Sequence, residues 1–248
     1  METLFEFTKG MSREQTSYCP GCTHGIAHRL IMEALCERGE LGSAIGAAPV
    51  GCSIVAAKYM DIDICECMHG RAPAIATGIK RVHPDKMVFT YQGDGDLASI
   101  GTCEIIHAAH RGDLITTFFI NNAIYGMTGG QMAPTTLIGQ KTTTSVEGRS
   151  AAASGKPLRM SEIIATIDGA AFVERVSLDS PGNVRKAKKA VLAALEVQKQ
   201  KKGFGFVEFL STCPTNWGLD PVSALEWLKK DMIPYYPTGN LKKPAEVE

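Results

Sequence analysis

Two groups of residues in this 248-residue chain have types and spacings that can do chemistry. The first is Gly93-Asp94-Gly95-Asp96, which ends an apolar run (residues 87–91) and opens a helical pattern (residues 97–111). It is answered by Asn121-Asn122 at the end of a second apolar run, residues 114–120. Gly93 and Gly95 permit a tight turn and a close approach of backbone to ligand, and a helix that starts just beyond offers free N–H groups and a positive dipole end to an anion. A diphosphate suits that arrangement. A divalent cation bridging it would need hard oxygen ligands, which the Asp94 carboxylate and the Asn122 amide can supply, with the carbonyl of Ile124 as a third. Asp96 would repel a diphosphate if it pointed inward, so it is expected to cap the helix or meet a partner. Each half alone reads as an ordinary turn; the combination at the spacing of one strand-helix-strand unit favours a site.

The second group is made of thiols. Cys19 and Cys22 form a two-ligand hook that could serve zinc, a redox disulfide or an iron-sulfur cluster, and a hook needs two further ligands. Cys52 and Cys213 are the best candidates, because each follows a predicted buried strand, whereas Cys36 and Cys103 fall inside helical patterns and are expected to pack as small apolar residues. Cys65 and Cys67 are either core or spare. His69 can move a proton near neutrality. Arg71 has a donor fork suited to a phosphate, or caps a helix.

These residues must be positioned by an alternation of strands and helices. Helical spacing runs through residues 24–38, 72–82, 161–168, 181–200 and 221–231; apolar strands are expected at 43–50, 87–91, 114–120, 171–176 and 204–210. Residues 53–67 are ambiguous. That rhythm predicts an α/β fold, a mostly parallel sheet with helices on both faces, whose ligands bind beyond the carboxyl ends of the strands. Cys52, Gly93-Asp94, Asn122 and Cys213 all fall at such ends. Residues 125–158 read as one long loop, a length that is usually functional or disordered. One domain over residues 1–248 is expected, with an N-terminal arm (1–17) and a C-terminal tail (233–248).

Composition narrows the function classes. With 26 basic and 26 acidic side chains mixed along the chain, no field attracts nucleic acid or an anionic membrane. No stretch approaches a membrane span, and the opening residues lack a basic-then-apolar leader, so a cytoplasmic location is expected. Eight cysteines in that setting are expected to be thiols or metal ligands.

The glycine-acid turn and paired amides resemble the thiamine diphosphate signature. Together with YCPGCTHG, HGRAPAIATGIK and NNAIYGMTGGQMAPTT, in that chain order around the turn, they resemble the beta subunit of 2-oxoacid:ferredoxin oxidoreductases over about residues 18–217. The resemblance implies a diphosphate-binding domain. Magnesium would be held by Asp94, Asn122 and the carbonyl of Ile124, and Gly95 and Asp96 would meet the diphosphate through backbone groups. Cys19, Cys22, Cys52 and Cys213 would hold one 4Fe-4S cluster, and His69, in the family-like HGR, would lie near the reacting centre.

The activity so implied is oxidative decarboxylation of a 2-oxoacid to acyl-CoA and carbon dioxide, with electrons passing through the cluster to ferredoxin. An alpha subunit would supply the catalytic glutamate, a gamma subunit or domain would complete the assembly, and the chain alone would be inactive. Some relatives carry a cation three positions after the Gly-Cys-Ser cysteine; this chain has Val55 there, with Lys58 further on. That departure favours a branched-chain 2-oxoacid over 2-oxoglutarate. The alternatives are the 2-oxoglutarate type, or another thiamine-dependent decarboxylase subunit with a structural metal site.

Overall fold

The computed structural model describes residues 6–244. Its strands are β1 (Ala44–Pro49), β2 (Asp63–Cys67), β3 (Met87–Gly93), β4 (Thr116–Asn121), β5 (Ala170–Ser177), β6 (Phe204–Leu210) and β7 (Gly239–Lys242). They form one seven-stranded sheet in the order β2-β1-β3-β4-β6-β5-β7. Every pairing is parallel except β5 with β7. The longer helices are α1 (His24–Glu37), α2 (Ala72–Val82), α3 (Thr102–His110) and, after the short α4 (Ala151–Ser154) and α5 (Met160–Ala165), α6 (Pro181–Lys199). Three short ones close the chain: α7 (Pro214–Trp217), α8 (Pro221–Trp227) and α9 (Ile233–Tyr235).

Alternation along the central strands sorts the core into two layers. Phe89, Tyr91, Phe118, Ile120 and Phe209 face α1 and α6, while Val88, Phe119 and Phe206 face the layer built by α2, α3 and α5. Strands buried on both faces read as continuous apolar runs rather than alternating ones, which is why β3, β4 and β6 were legible in sequence. α6 starts as its sequence predicts: Pro181 occupies the first turn, and the Ser180 hydroxyl accepts from the Asn183 N–H at 3.3 Å.

Four expectations change. The ambiguous stretch contains a 3-10 helix (Cys52–Lys58) and the edge strand β2. The helix expected over 97–111 is broken: a π-turn (Asp96–Ile100) precedes α3, closed by the Gly101 N–H on the Asp96 carbonyl at 2.7 Å. The turn needs glycine at its close, since a Cβ on Gly101 would lie 2.9 Å from the carbonyl oxygens of both Asp96 and Gly70. The expected tail instead contributes α9 and β7, and within it Tyr236 is fully buried; residues 245–248 lie outside those described. The arm is described from residue 6 and has no helix or strand, but Met11 bridges to Met60. Among the described residues, no helix is long and apolar enough to cross a membrane.

Candidate functional site

Parallel pairing brings the proposed residues to one edge. Gly93 of β3 lies opposite Ile120 of β4, and Asn121 lies opposite Leu210 of β6, so the segments leaving β3, β4 and β6 emerge side by side. β1 joins them through Pro49, two residues before Gly51-Cys52. A cavity of about 90 Å³ at this edge is lined by His24, Cys52, His69, Asp94, Asn122 and Tyr125, among others.

Asp94 is almost fully buried. Its Oδ2 accepts from the Thr135 hydroxyl at 2.6 Å and the Ile124 N–H at 3.1 Å, while Oδ1 accepts from the Gly95 N–H at 2.8 Å. Burial pushes the carboxyl up to about 7, against the pull of those three donors. The Ile124 N–H is shared with Asn122 Oδ1 at 3.4 Å, so oxygens from two neighbouring strand ends converge on one amide. Asp94 Oδ1 and Asn122 Oδ1 each retain a lone pair, and an acid held in a dry site with free oxygen positions suits a hard cation.

The first asparagine of the pair has a different task. Asn121 Nδ2 donates to Glu208 Oε1 at 2.7 Å, and its Oδ1 accepts from the Ala123 N–H at 3.1 Å. Ala123 sits at φ 57°, a conformation that costs a non-glycine residue energy and needs such support. Glu208 is itself neutralised by Arg175 Nε at 2.8 Å, and Arg175 continues to Glu162 through a two-pronged contact. A buried polar chain therefore holds the turn that delivers Asn122.

Asp96 neither caps the π-turn nor faces outward. Its buried carboxylate accepts from His69 Nδ1 and the Gly70 N–H, both at 2.5 Å, and from Gln92 Nε2 at 2.7 Å. Burial raises its pKa, opposed by Gln92, Gly70 and His69. His69 reaches the cavity under Asp96's hold. Arg71 does not: its guanidinium is half-exposed and pairs with Glu104 on α3, and at the N-cap of α2 it makes no side-chain capping bond. His24 also lines the cavity, with Nδ1 on the Tyr91 hydroxyl at 2.6 Å; burial lowers its pKa to about 4, which keeps the ring neutral.

The thiols of Cys19, Cys22, Cys52 and Cys213 are near enough to feel one another's charge. Burial pushes Cys22 up to about 12 and Cys52 up to about 11, with the neighbouring thiols adding to both; Cys213 is raised mainly by burial too. Three buried thiols held in the neutral form by their surroundings would be drawn to ionise by a cationic centre. Among the described residues, however, no three His, Cys, Asp or Glu side chains close on a point where one ion would sit. Of the two thiols expected in the core, Cys36 is half-buried and Cys103 is exposed, because α3 turns Cys103 to solvent.

Several residues around the site carried no sequence signal. Gly126 sits between two of the thiols: a Cβ on it would be in ordinary contact, at 3.5 Å, with the sulfurs of both Cys52 and Cys213. Asn216 Nδ2 donates to Cys213 Sγ at 3.3 Å and to the Gly126 carbonyl at 2.9 Å. The Tyr125 ring lies over Gly95, where a Cβ would come within 2.1 Å of it, so that glycine serves a side-chain contact. The long loop is ordered by Arg149, whose guanidinium donates to six carbonyls, those of Ala133, Pro134, Thr136, Ser154, Gly155 and Lys156. Tyr236 adds a bond to the Thr135 carbonyl at 2.7 Å.

Comparison with known proteins adds independent findings. Residues 49–209 match the family model described as "Thiamine pyrophosphate enzyme, C-terminal TPP binding domain". The ketoisovalerate oxidoreductase subunit VorA of Methanothermobacter thermautotrophicus is 47% identical over all of this chain, which spans 52% of that relative's length. The 2-oxoglutarate synthase subunit KorB of Archaeoglobus fulgidus is 37% identical over 87% of this chain and 76% of its own. Among solved structures, a 2-oxoglutarate:ferredoxin oxidoreductase from Magnetococcus marinus, with 2-oxoglutarate, coenzyme A and succinyl-CoA bound, superposes with a TM-score of 0.75. The two are 27% identical, over 96% of this chain and 84% of that one.

Proposed function

Because the chain belongs to the thiamine diphosphate-binding subunits of the 2-oxoacid:ferredoxin oxidoreductases, we propose that it contributes the diphosphate, magnesium and cluster sites of an enzyme that converts a 2-oxoacid and coenzyme A to acyl-CoA and carbon dioxide, with ferredoxin as acceptor. The observation that carries this reading is the convergence of Asp94 and Asn122 on the Ile124 N–H, at the mouth of a glycine turn and beside four thiols. Asp94 Oδ1, Asn122 Oδ1 and the Ile124 carbonyl would hold magnesium; Cys19, Cys22, Cys52 and Cys213 would hold a 4Fe-4S cluster. When bound, thiamine diphosphate supplies the nucleophilic carbon for decarboxylation and the cluster accepts the electrons.

What the chain's own residues do follows from their surroundings. Asp94 orients the cation and is kept dry by Thr135 and Ile124. His69, anchored at Nδ1 by Asp96, presents the rest of its ring to the cavity and can hold or move a proton at Nε2. Tyr125 lies over the turn and must swing aside to admit a diphosphate, since a cavity of about 90 Å³ is too small for it as it stands. Among the described residues no glutamate lines the cavity, which supports a partner chain as the source of the carboxylate that activates the cofactor.

The substrate reading is a branched-chain 2-oxoacid. Val50, Ile124 and Met127 line the cavity and, among the described residues, no lysine or arginine does, so none of these would neutralise the second carboxylate of 2-oxoglutarate. The test is to purify the chain anaerobically with its partner subunits, measure bound iron and magnesium-dependent thiamine diphosphate, and screen 2-oxoacids with coenzyme A and a viologen acceptor. Absence of thiamine diphosphate binding would remove the central reading; preference for 2-oxoglutarate would reverse the substrate reading alone.

A further inference from the structure

Cys65 and Cys67 stand outside the four-thiol group. Both are on β2, the outermost strand on its side of the sheet, which pairs only with β1. Residues two apart on a strand share a face, so the two side chains lie next to one another. Cys65 is exposed and Cys67 is buried. The Cys67 thiol donates to the Cys65 carbonyl at 3.3 Å, which folds its sulfur back toward Cys65. Burial pushes the Cys67 thiol up to about 12, so external reagents meet Cys65 first. Immediately after Cys67 come Met68, the most exposed large apolar residue described, and the His69-Gly70 pair gripped by Asp96. Asp96 in turn adjoins the Gly93–Gly95 turn. A change at the end of β2 is therefore transmitted to the candidate diphosphate site through two hydrogen bonds.

We propose that Cys65 and Cys67 are a reversible thiol-disulfide pair, closed by low-molecular-weight disulfides, and that closure draws the His69-Gly70 turn off Asp96 and weakens diphosphate binding. The coupling half rests on the function proposed above; the pairing half does not. In the first step the Cys65 thiolate attacks a disulfide RSSR, forming Cys65–S–SR and releasing one RS⁻. The Cys67 sulfur, having given up its proton, then attacks the Cys65 sulfur and releases the second RS⁻. Overall the dithiol loses two electrons and two protons, and RSSR becomes two RSH. Cα atoms two apart on a strand are about 6.6 Å apart, whereas bridged cysteines most often lie about 5.5–6 Å apart. The Cβ atoms, which start about as far apart on their shared face, must close to about 3.5–4.5 Å, so closure contracts and bends the strand end by roughly 2 Å or more. The ladder yields there readily, because the partner of Cys67 is Pro49, which has no N–H to donate.

The test uses the assembled protein, kept anaerobic and exposed to oxidised glutathione, followed by peptide mapping and by calorimetric titration with thiamine diphosphate at saturating magnesium. The expected result is a Cys65–Cys67 disulfide and a Kd raised at least tenfold, both reversed by dithiothreitol. Cys67→Ser should retain glutathione on Cys65, and Cys65→Ser should form no disulfide on β2 and keep its affinity through the treatment. Glutathione persisting on Cys65 of the unaltered protein, or a disulfide between other cysteines, overturns the pairing. A mapped Cys65–Cys67 disulfide with unchanged Kd overturns the coupling. If the reduced protein binds no thiamine diphosphate, the function proposed above and the coupling fall together, and the peptide map alone decides the pairing.

Discussion

Replacing Thr135 with valine tests one hydrogen bond to the buried Asp94 carboxylate. Thr135 is fully buried, its hydroxyl lies 2.6 Å from Asp94 Oδ2, and valine keeps its branching and volume while removing that donor. A hydrogen bond to an ionised group contributes about 1.5–3 kcal/mol, and about 1.4 kcal/mol is a tenfold change in affinity. Only the part that differs between the free and cation-bound protein counts. Burial has pushed Asp94 up to about 7, so near neutral pH roughly half of the free carboxyls carry a proton and accept weakly. A magnesium ion demands the ionised form, where the donor is worth most. The difference falls toward the lower end of the range, and the Kd for magnesium-dependent thiamine diphosphate should rise about tenfold, with about 150-fold as the ceiling. Calorimetric titration of the assembled protein measures it, a thermal melt confirms an intact fold, and Thr135→Ser should retain the affinity. A Thr135→Val protein that melts normally and binds within about twofold of the unaltered one would refute Asp94 as the cation's carboxylate.

Three further outcomes follow from the same contacts. Arg149→Met strips six carbonyls of their donor and should lower stability by at least about 3 kcal/mol in denaturant titrations, with new proteolysis between residues 125 and 158; an unchanged midpoint would show that the loop is held elsewhere. Asn121→Asp sets a second carboxylate against Glu208 Oε1, now 2.7 Å from the amide nitrogen, and should cost about 3–5 kcal/mol; a melting curve like that of the unaltered protein would contradict it. Burial opposes ionisation of Glu162, but Arg175 overcomes it and holds the carboxyl below its usual value. Its stabilising contribution is therefore complete above the unfolded value of about 4.3 and is lost as pH falls through the folded one. Glu162→Gln should flatten that acid limb of the stability profile, and an identical limb would count against the pair.

What could be read from sequence was governed by how local the cause was. α2 spans the residues its pattern predicts, and β6 does as well, because periodicity and apolar runs are properties of neighbouring residues. That Asp94 and Asn122 would meet was legible because both stand at the ends of neighbouring apolar strands. Asp96 was misread because its partners, His69 and Gly70, are 26 or 27 positions away. Thr135 and Tyr236 were missed for the same reason, acting across 41 and 101 positions. β7 hid among prolines and lysines because an edge strand needs only one apolar face, and β2 because it is exposed at both Cys65 and Glu66, which point to opposite faces.

The electrostatics of the sheet edge join the two constellations. Asp94 raises the pKa of both Cys52 and Cys213, after burial, and the thiols raise one another's. Among the described residues no lysine or arginine lines the cavity to offset them. Burial and these neighbours make Cys22, Cys52 and Cys213 harder to ionise, and a bound cation would favour the ionised form that ligates. A patch built for structure alone would be expected to pair such groups with bases, as Glu208 is paired with Arg175 a few ångströms behind the site. The same strand edge therefore carries an ion-paired acid behind, and in front hydrogen-bonded acids with no lysine or arginine beside them among the described residues. That contrast, more than any single ligand position, supports the proposal that the front holds a divalent cation and an iron-sulfur centre.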